Sequence, residues 1–229
     1  MNKTLLKLFV AAAIGTTAPA WAEDDSFAAL SAQWWQWALS IPVASNPLLD
    51  PAVPGTTSAV NCMVGQRGAV WFLAGKFLDG GTVRRSCSVP AGVALFFPVI
   101  NSVNVNSPNI CGQGGPLSVR DLRGLVAPFI DAVTVVQAKL DNRPITRIRR
   151  VRSEPFITAL PIDNLFVAPC GGGVPAGVYS PSVDDGYYVK VNGLAPGMHT
   201  LEFRATSGTF TLDVAYELNV VPVSGEVAR

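Results

Sequence analysis

Five arginines, Arg143, Arg147, Arg149, Arg150 and Arg152, fall within the ten residues RPITRIRRVR. Guanidinium groups at that density suit carboxylate, sulfate or phosphate, because each planar fork can donate two parallel hydrogen bonds. The run marks a candidate surface for an anionic glycan or another anionic envelope component. The competing expectation is a solvated strand or loop whose arginines pair with the protein's own acids. Ile145, Ile148 and Val151 do not alternate cleanly, so a bulge is expected and the arginines that share a face stay unassigned. Trp35, in the tryptophan-rich stretch SAQWWQWALSIP, is the other candidate for ligand contact.

Other chemistries are sparsely supplied. His199 is the only histidine, so a Ser-His-Asp or Cys-His site would have to use it. There is no G-x-S-x-G elbow and no phosphate-cradling glycine motif, and no catalytic residue is assigned. One histidine beside cysteines expected in disulfides leaves no common zinc or copper set, and no cofactor is expected. Asn101, Asn104, Asn106 and Asn109 sit in NSVNVNSPN without local acids for calcium, and Asx turns are their expected role. A glycan-active hydrolase would need two carboxylates across a cleft, with Glu154, Asp184 and Asp185 as candidates. Asp184 and Asp185 precede Gly186, however, where a turn is the simpler expectation. A third alternative is a structural or assembly component with a protein partner and no small ligand.

The setting of these residues follows from the chain's ends and its cysteines. MNKTLLKLFVAAAIGTTAPAWA has a basic start, a short apolar run and a small-x-small site, the order of a secretory signal. Residues 1–22 are read as that signal, with cleavage between Ala22 and Glu23. Loss of Lys3 and Lys7 with the signal takes the formal charge from +1 to −1, which disfavours nucleic acid as a partner. No later apolar run is long enough to cross a bilayer, so no transmembrane segment is expected in the mature chain. The protein is expected to be exported, to the periplasm or beyond. Cys62, Cys87, Cys111 and Cys170 form an even set, and two disulfides are expected. Of the three pairings, Cys62–Cys87 with Cys111–Cys170 is favoured because each closes a simple loop. Each bridge would contribute about 3–4 kcal/mol by loop closure.

The elements that must position these groups are legible in outline. Phe27, Leu30, Trp34, Trp37 and Ile41 keep a helical period after a cap at Asp25 or Ser26, and Pro42 ends the helix. Trp34 and Trp37 then face the core, while Trp35 lies about a hundred degrees round the helix from Trp34. GAVWFLAGKF and TVRRSCSV read as strands joined by a hairpin at Asp79-Gly80-Gly81. Ser118 and Asp121 form a capping box for a second helix, with Val119, Leu122, Leu125, Phe129 and Ile130 on one face and a kink or end at Pro128. Asp141-Asn142 is a further turn.

The C-terminal segment MHTLEFRATSGTFTLDVAYELNV is a hairpin. A Ser207-Gly208 turn would pair Leu201 with Val214, Phe203 with Leu212 and Ala205 with Phe210, and on the opposite face Glu202 with Asp213. His199 would face Tyr216 from a partly buried strand end.

The segments WWQWALSIP, GQRGAVWFLAG, VPAGVALFFPV, YSPSVDDGYY and LAPGMHTLEF together resemble an uncharacterised family of exported bacterial proteins. That resemblance implies export and a β-rich fold and carries over no activity. The expected fold is mainly β: a single disulfide-braced antiparallel β-sandwich over residues 23–229, immunoglobulin-like or jelly-roll-like, with an N-terminal helix and one inserted short helix.

Overall fold

The computed structural model describes residues 22–49, 57–77, 81–166, 170–171 and 173–222. The expected signal segment lies outside them except for Ala22, which opens the first helix. In chain order the elements are α1 (Ala22–Ser40), β1 (Ser58–Ala59), β2 (Val70–Phe72), β3 (Gly81–Pro90), β4 (Ala94–Val105), α2 (Val119–Asp131), β5 (Val133–Leu140), β6 (Arg143–Pro144), β7 (Arg149–Arg152), β8 (Phe156–Leu160), β9 (Gly177–Val191), β10 (Gly197–Ser207) and β11 (Phe210–Val221). One sheet has the order β1-β3-β11-β10-β5-β6 and the other β2-β4-β9-β7, with β8 also paired to β9.

Strict alternation drives the two sheets together. Leu201, Phe203 and Ala205 of β10 and Leu212, Val214, Tyr216 and Leu218 of β11 are buried, with Glu202, Arg204, Asp213 and Glu217 between them pointing out. They meet Phe97, Val99 and Val189 of the second sheet, where Phe97 stacks on Phe203 at 4.9 Å between centroids. The other face of the second sheet is covered by α1, whose Phe27, Trp34 and Trp35 join a separate core with Phe96, Val151 and Tyr188. The result is a helix-sheet-sheet stack, the expected sandwich with an N-terminal helix. A third, small cluster of Leu122, Val126 and Val183 seats α2.

Several expectations are corrected. The sheets are mixed: β1 and β11 both run parallel to β3, and β2 runs parallel to β4. The hairpin across residues 79–81 does not form, because β2 and β3 belong to different sheets; Asp79 and Gly80 lie outside the described residues. The last hairpin turns at Gly208-Thr209, so Leu201 pairs with Tyr216, Phe203 with Val214, Arg204 with Asp213 and His199 with Leu218. That slip is even, so every side chain keeps its expected face. The expected caps Asp25 and Ser26 lie inside α1, which begins at Ala22.

The capping box at α2 is present, with Ser118 Oγ accepting from the Asp121 amide at 3.2 Å. Its helix passes through Pro128, which sits exposed in the final turn, where the missing N–H removes a single bond. The buried face is Leu122, Val126 and Ile130, while Leu125 is 57% exposed.

Both disulfides take the favoured pairing. Cys62–Cys87 ties the approach to β2 onto β3, and Cys111–Cys170 joins the loop before α2 to the loop before β9. Among the described residues no helix is long and apolar enough to cross a membrane.

Candidate functional site

β2 is far shorter than β4. It ends at Phe72 opposite Phe96, and the chain from Leu73 to Phe77 then leaves for the first sheet, bringing Gly75 against Leu212. From Pro98 onward, the outer edge of β4 has no strand neighbour among the described residues. That edge borders a cleft of about 400 Å³. One wall is α1, through Trp34 and Trp35, and the opposite wall is the start of β11, through Phe210 and Leu212. Lys76 and Phe77 line it from the departing chain, Phe129 from α2, and Phe166 and the Cys111–Cys170 disulfide from the loops.

The tryptophan triplet fastens the α1 wall to the rest of the fold. All three rings are buried, at 1% exposure for Trp34, 3% for Trp35 and 7% for Trp37. Each indole N–H has its own acceptor: Trp34 donates to the Leu73 carbonyl (2.9 Å), Trp37 to the Val64 carbonyl (2.8 Å) and Trp35 to Asp184 Oδ1 (2.8 Å). The rings also meet edge to face, Trp34 with Trp35 at 4.9 Å and with Trp37 at 5.8 Å. The triplet thus packs as core and pins three chain segments to one helix. Trp35, a candidate ligand contact, reaches the cleft only as part of that packed wall.

Behind the wall lies a carboxyl group with no access to solvent. Asp184 stands mid-strand in β9, not in a turn, and is fully buried. Its Oδ1 accepts from Trp35 Nε1 and from the Tyr188 hydroxyl, both at 2.8 Å, and Asn101 Nδ2 donates to that hydroxyl at 2.9 Å. Oδ2 has no hydrogen-bond partner among the described residues; the Ser31 hydroxyl, which donates to the Ala28 carbonyl (3.0 Å), also acts to lower the Asp184 pKa. Burial pushes the Asp184 pKa up to about 8; the hydrogen bonds from Tyr188 and Trp35 oppose the shift, and the Asp185 charge adds to it. The same burial, with the Asp184 charge, drives the Tyr188 hydroxyl well above its ordinary value. The chain Asn101–Tyr188–Asp184–Trp35 therefore begins and ends at cleft-lining residues.

The arginine run does not form one surface. Its irregular spacing marks a crossing between sheets, and no bulged strand forms: Arg143 lies on β6 at the edge of the first sheet, Arg147 in the crossing, and Arg149, Arg150 and Arg152 on β7 of the second. Arg149 turns toward α1, with its guanidinium 5.1 Å from the Phe27 ring centroid. Arg150 grips Asp185 through Nε (3.0 Å) and Nη2 (2.8 Å) and also reaches Asp131 (2.6 Å), while Arg152 Nε reaches Asp185 at 3.2 Å. Pairing with the protein's own acids is what is found for these two.

Asp184 and Asp185 point to opposite faces of β9, and no carboxylate lines the cleft among the described residues. Glu154 is exposed beyond β7. His199, 17% exposed at its side chain, is bracketed by Asp141 Oδ2 (2.8 Å) and the Ala195 carbonyl (2.9 Å), and the Asp141 bond raises its pKa. Among the described residues it pairs with no nucleophile.

Asn101 and Asn104 belong to β4, contrary to the turn expectation, while Asn106 is a buried hub that accepts from Gln113 and the Leu117 amide. Arg85 belongs to none of the motifs in the sequence. It is 1% exposed and donates to the carbonyls of Pro47, Ala74 and Gly75, fixing the segment that carries Lys76 and Phe77. Its place between Val83 and Cys87, one position in two, was the available signal that it points inward.

No protein-family model, curated protein or solved structure matches the chain.

Proposed function

We propose that the protein is an exported binding protein that holds a small, largely apolar molecule in the cleft between α1, the edge of β4 and the first sheet. The observation that carries this reading is the cleft itself. It encloses about 400 Å³ between aromatic walls from two layers of the fold, around a small number of polar groups. Sites for small molecules have that size and composition. Export to the periplasm or the cell exterior is supported by the signal-like residues 1–22, by two disulfides and by the resemblance to exported proteins. The anionic surface expected at the arginine run is superseded by this site, since Arg150 and Arg152 are engaged by Asp185. No hydrolase is proposed, because both central acids lie outside the cleft.

The test is titration of the oxidised mature protein with the neutral fluorescent probe N-phenyl-1-naphthylamine. Saturable binding that weakens in Phe77→Ala/Phe166→Ala supports the reading; these two rings meet at 6.4 Å on the loop wall and are only partly buried. Binding unaffected by that pair of substitutions, or no binding, overturns it and directs attention to a protein partner.

A further inference from the structure

The polar groups of the cleft are few and asymmetric, and they define a ligand chemistry. This inference rests on the cleft being the binding site. Lys76 is the one cationic residue on its walls, no acid accompanies it there, and it makes no ion pair among the described residues. A cation on an aromatic wall with no counter-charge among the described residues is complementary to an anionic group on the ligand.

Asn101 contributes the second element. Its amide orientation is set from behind. Tyr188 has one hydroxyl proton and gives it to Asp184 Oδ1, so that hydroxyl must accept from Asn101, which commits Nδ2 inward at 2.9 Å. The Asn101 carbonyl oxygen has no hydrogen-bond partner among the described residues and is left for the cleft. The seat is tight: Asn101 faces Gly186, where even a Cβ would come within 2.5 Å of the Asn101 Cβ. An oriented acceptor beside apolar walls favours a ligand with an N–H or O–H donor and penalises one that leaves the acceptor unpaired.

We infer that the cleft selects aromatic anions that also carry a hydrogen-bond donor, with Lys76 taking the anionic group and Asn101 Oδ1 accepting from the donor. Aromatic bodies are favoured because the partly buried Phe129 and Phe210, which meet edge to face at 5.5 Å, line the cleft opposite the Trp34–Trp35 wall. Tyr188 is a positioning residue, acting through Asn101.

The experiment is calorimetric titration of the oxidised protein with indole-3-acetate, 1-naphthaleneacetate, 3-methylindole and tryptamine. Indole-3-acetate should bind tightest, with loss of the N–H or of the carboxylate each costing about tenfold. Lys76→Met should erase the preference for indole-3-acetate over 3-methylindole. Asn101→Leu should erase the preference for indole-3-acetate over 1-naphthaleneacetate. Tyr188→Phe should reduce that second preference and leave the first intact, and it carries this arm if Asn101→Leu does not fold. Equal affinities, a preference for tryptamine, or discrimination that survives both substitutions overturns the inference. Tight 3-methylindole binding without anion preference would sink it while leaving the proposed cleft standing; absence of N-phenyl-1-naphthylamine binding removes both.

Discussion

Replacing Asp184 with asparagine should make the protein more stable at neutral and alkaline pH. In the unfolded chain this carboxyl ionises near 3.8, whereas burial raises it to about 8 in the folded protein. Between those values the folded state holds a proton that the unfolded state has released. Stability therefore falls as pH rises, by about 1.4 kcal/mol per unit, and the loss is complete once pH exceeds the folded value. From pH 5 to 7 the cost to the wild type is about 3 kcal/mol. Asparagine is nearly isosteric with the protonated acid. Its Oδ1 can keep the bonds from Trp35 and Tyr188, and its Nδ2 takes the place of Oδ2, which has no partner among the described residues. Asp184→Asn removes the titration, so wild type and variant should converge only below pH 3.8, and the variant should already lead by about 1–2 kcal/mol at pH 5. The variant should then gain about a further 3 kcal/mol on the wild type by pH 7. Urea denaturation of both proteins at half-unit steps from pH 4.5 to 8.5 reads this directly, and groups common to both cancel in the difference. A constant difference across that range, or a variant less stable at pH 8, would refute the reasoning by showing that the folded protein holds Asp184 ionised at no net cost.

Two further predictions concern the frame around the site. Gly186→Ala should destabilise by about 3 kcal/mol or more in thermal or urea unfolding, because the added methyl meets Asn101 Cβ at 2.5 Å, Asn101 Cα at 2.8 Å and the Ile100 carbonyl at 2.8 Å, and backbone cannot yield without opening β4 from β9; a loss under 1 kcal/mol would contradict that close approach. His199, as the only histidine, gives an isolated proton resonance whose midpoint should lie above 6.5 and move back toward it in Asp141→Asn. The pair's contribution is complete below pH 6.5 on the histidine side and fades as pH rises through the elevated midpoint. On the aspartate side, where the pKa is lowered, it is lost as pH falls below about 3.8.

Local rules account for much of what was legible. The period of Phe27, Leu30, Trp34 and Trp37, the Ser118–Asp121 box and the alternation through β10 and β11 each depend on neighbours within a few residues, so α1, α2 and the faces of the last two strands could be read directly. Loop geometry was enough for the disulfides. The hairpin register differs by two from the expected one because Ser207-Gly208 and Gly208-Thr209 both satisfy a two-residue turn, and only the packing of Ser207 beneath α2, where its hydroxyl reaches the Phe129 carbonyl, separates them.

The site belongs to the other category. Asp184 and Asp185 look like turn residues because nothing adjacent in sequence reveals that α1 covers one and Arg150 and Arg152 hold the other. The arginine run looks like one surface until the chain crosses between sheets within it. Sequence by itself determined the element types, the inward faces and the cystine bridges, since these depend on local periodicity and loop closure. Tertiary structure alone decided the parallel pairings, the short reach of β2 that leaves a cleft beside β4, and the burial of Asp184. Each depends on contacts between residues distant along the chain, whose free energy no local pattern encodes.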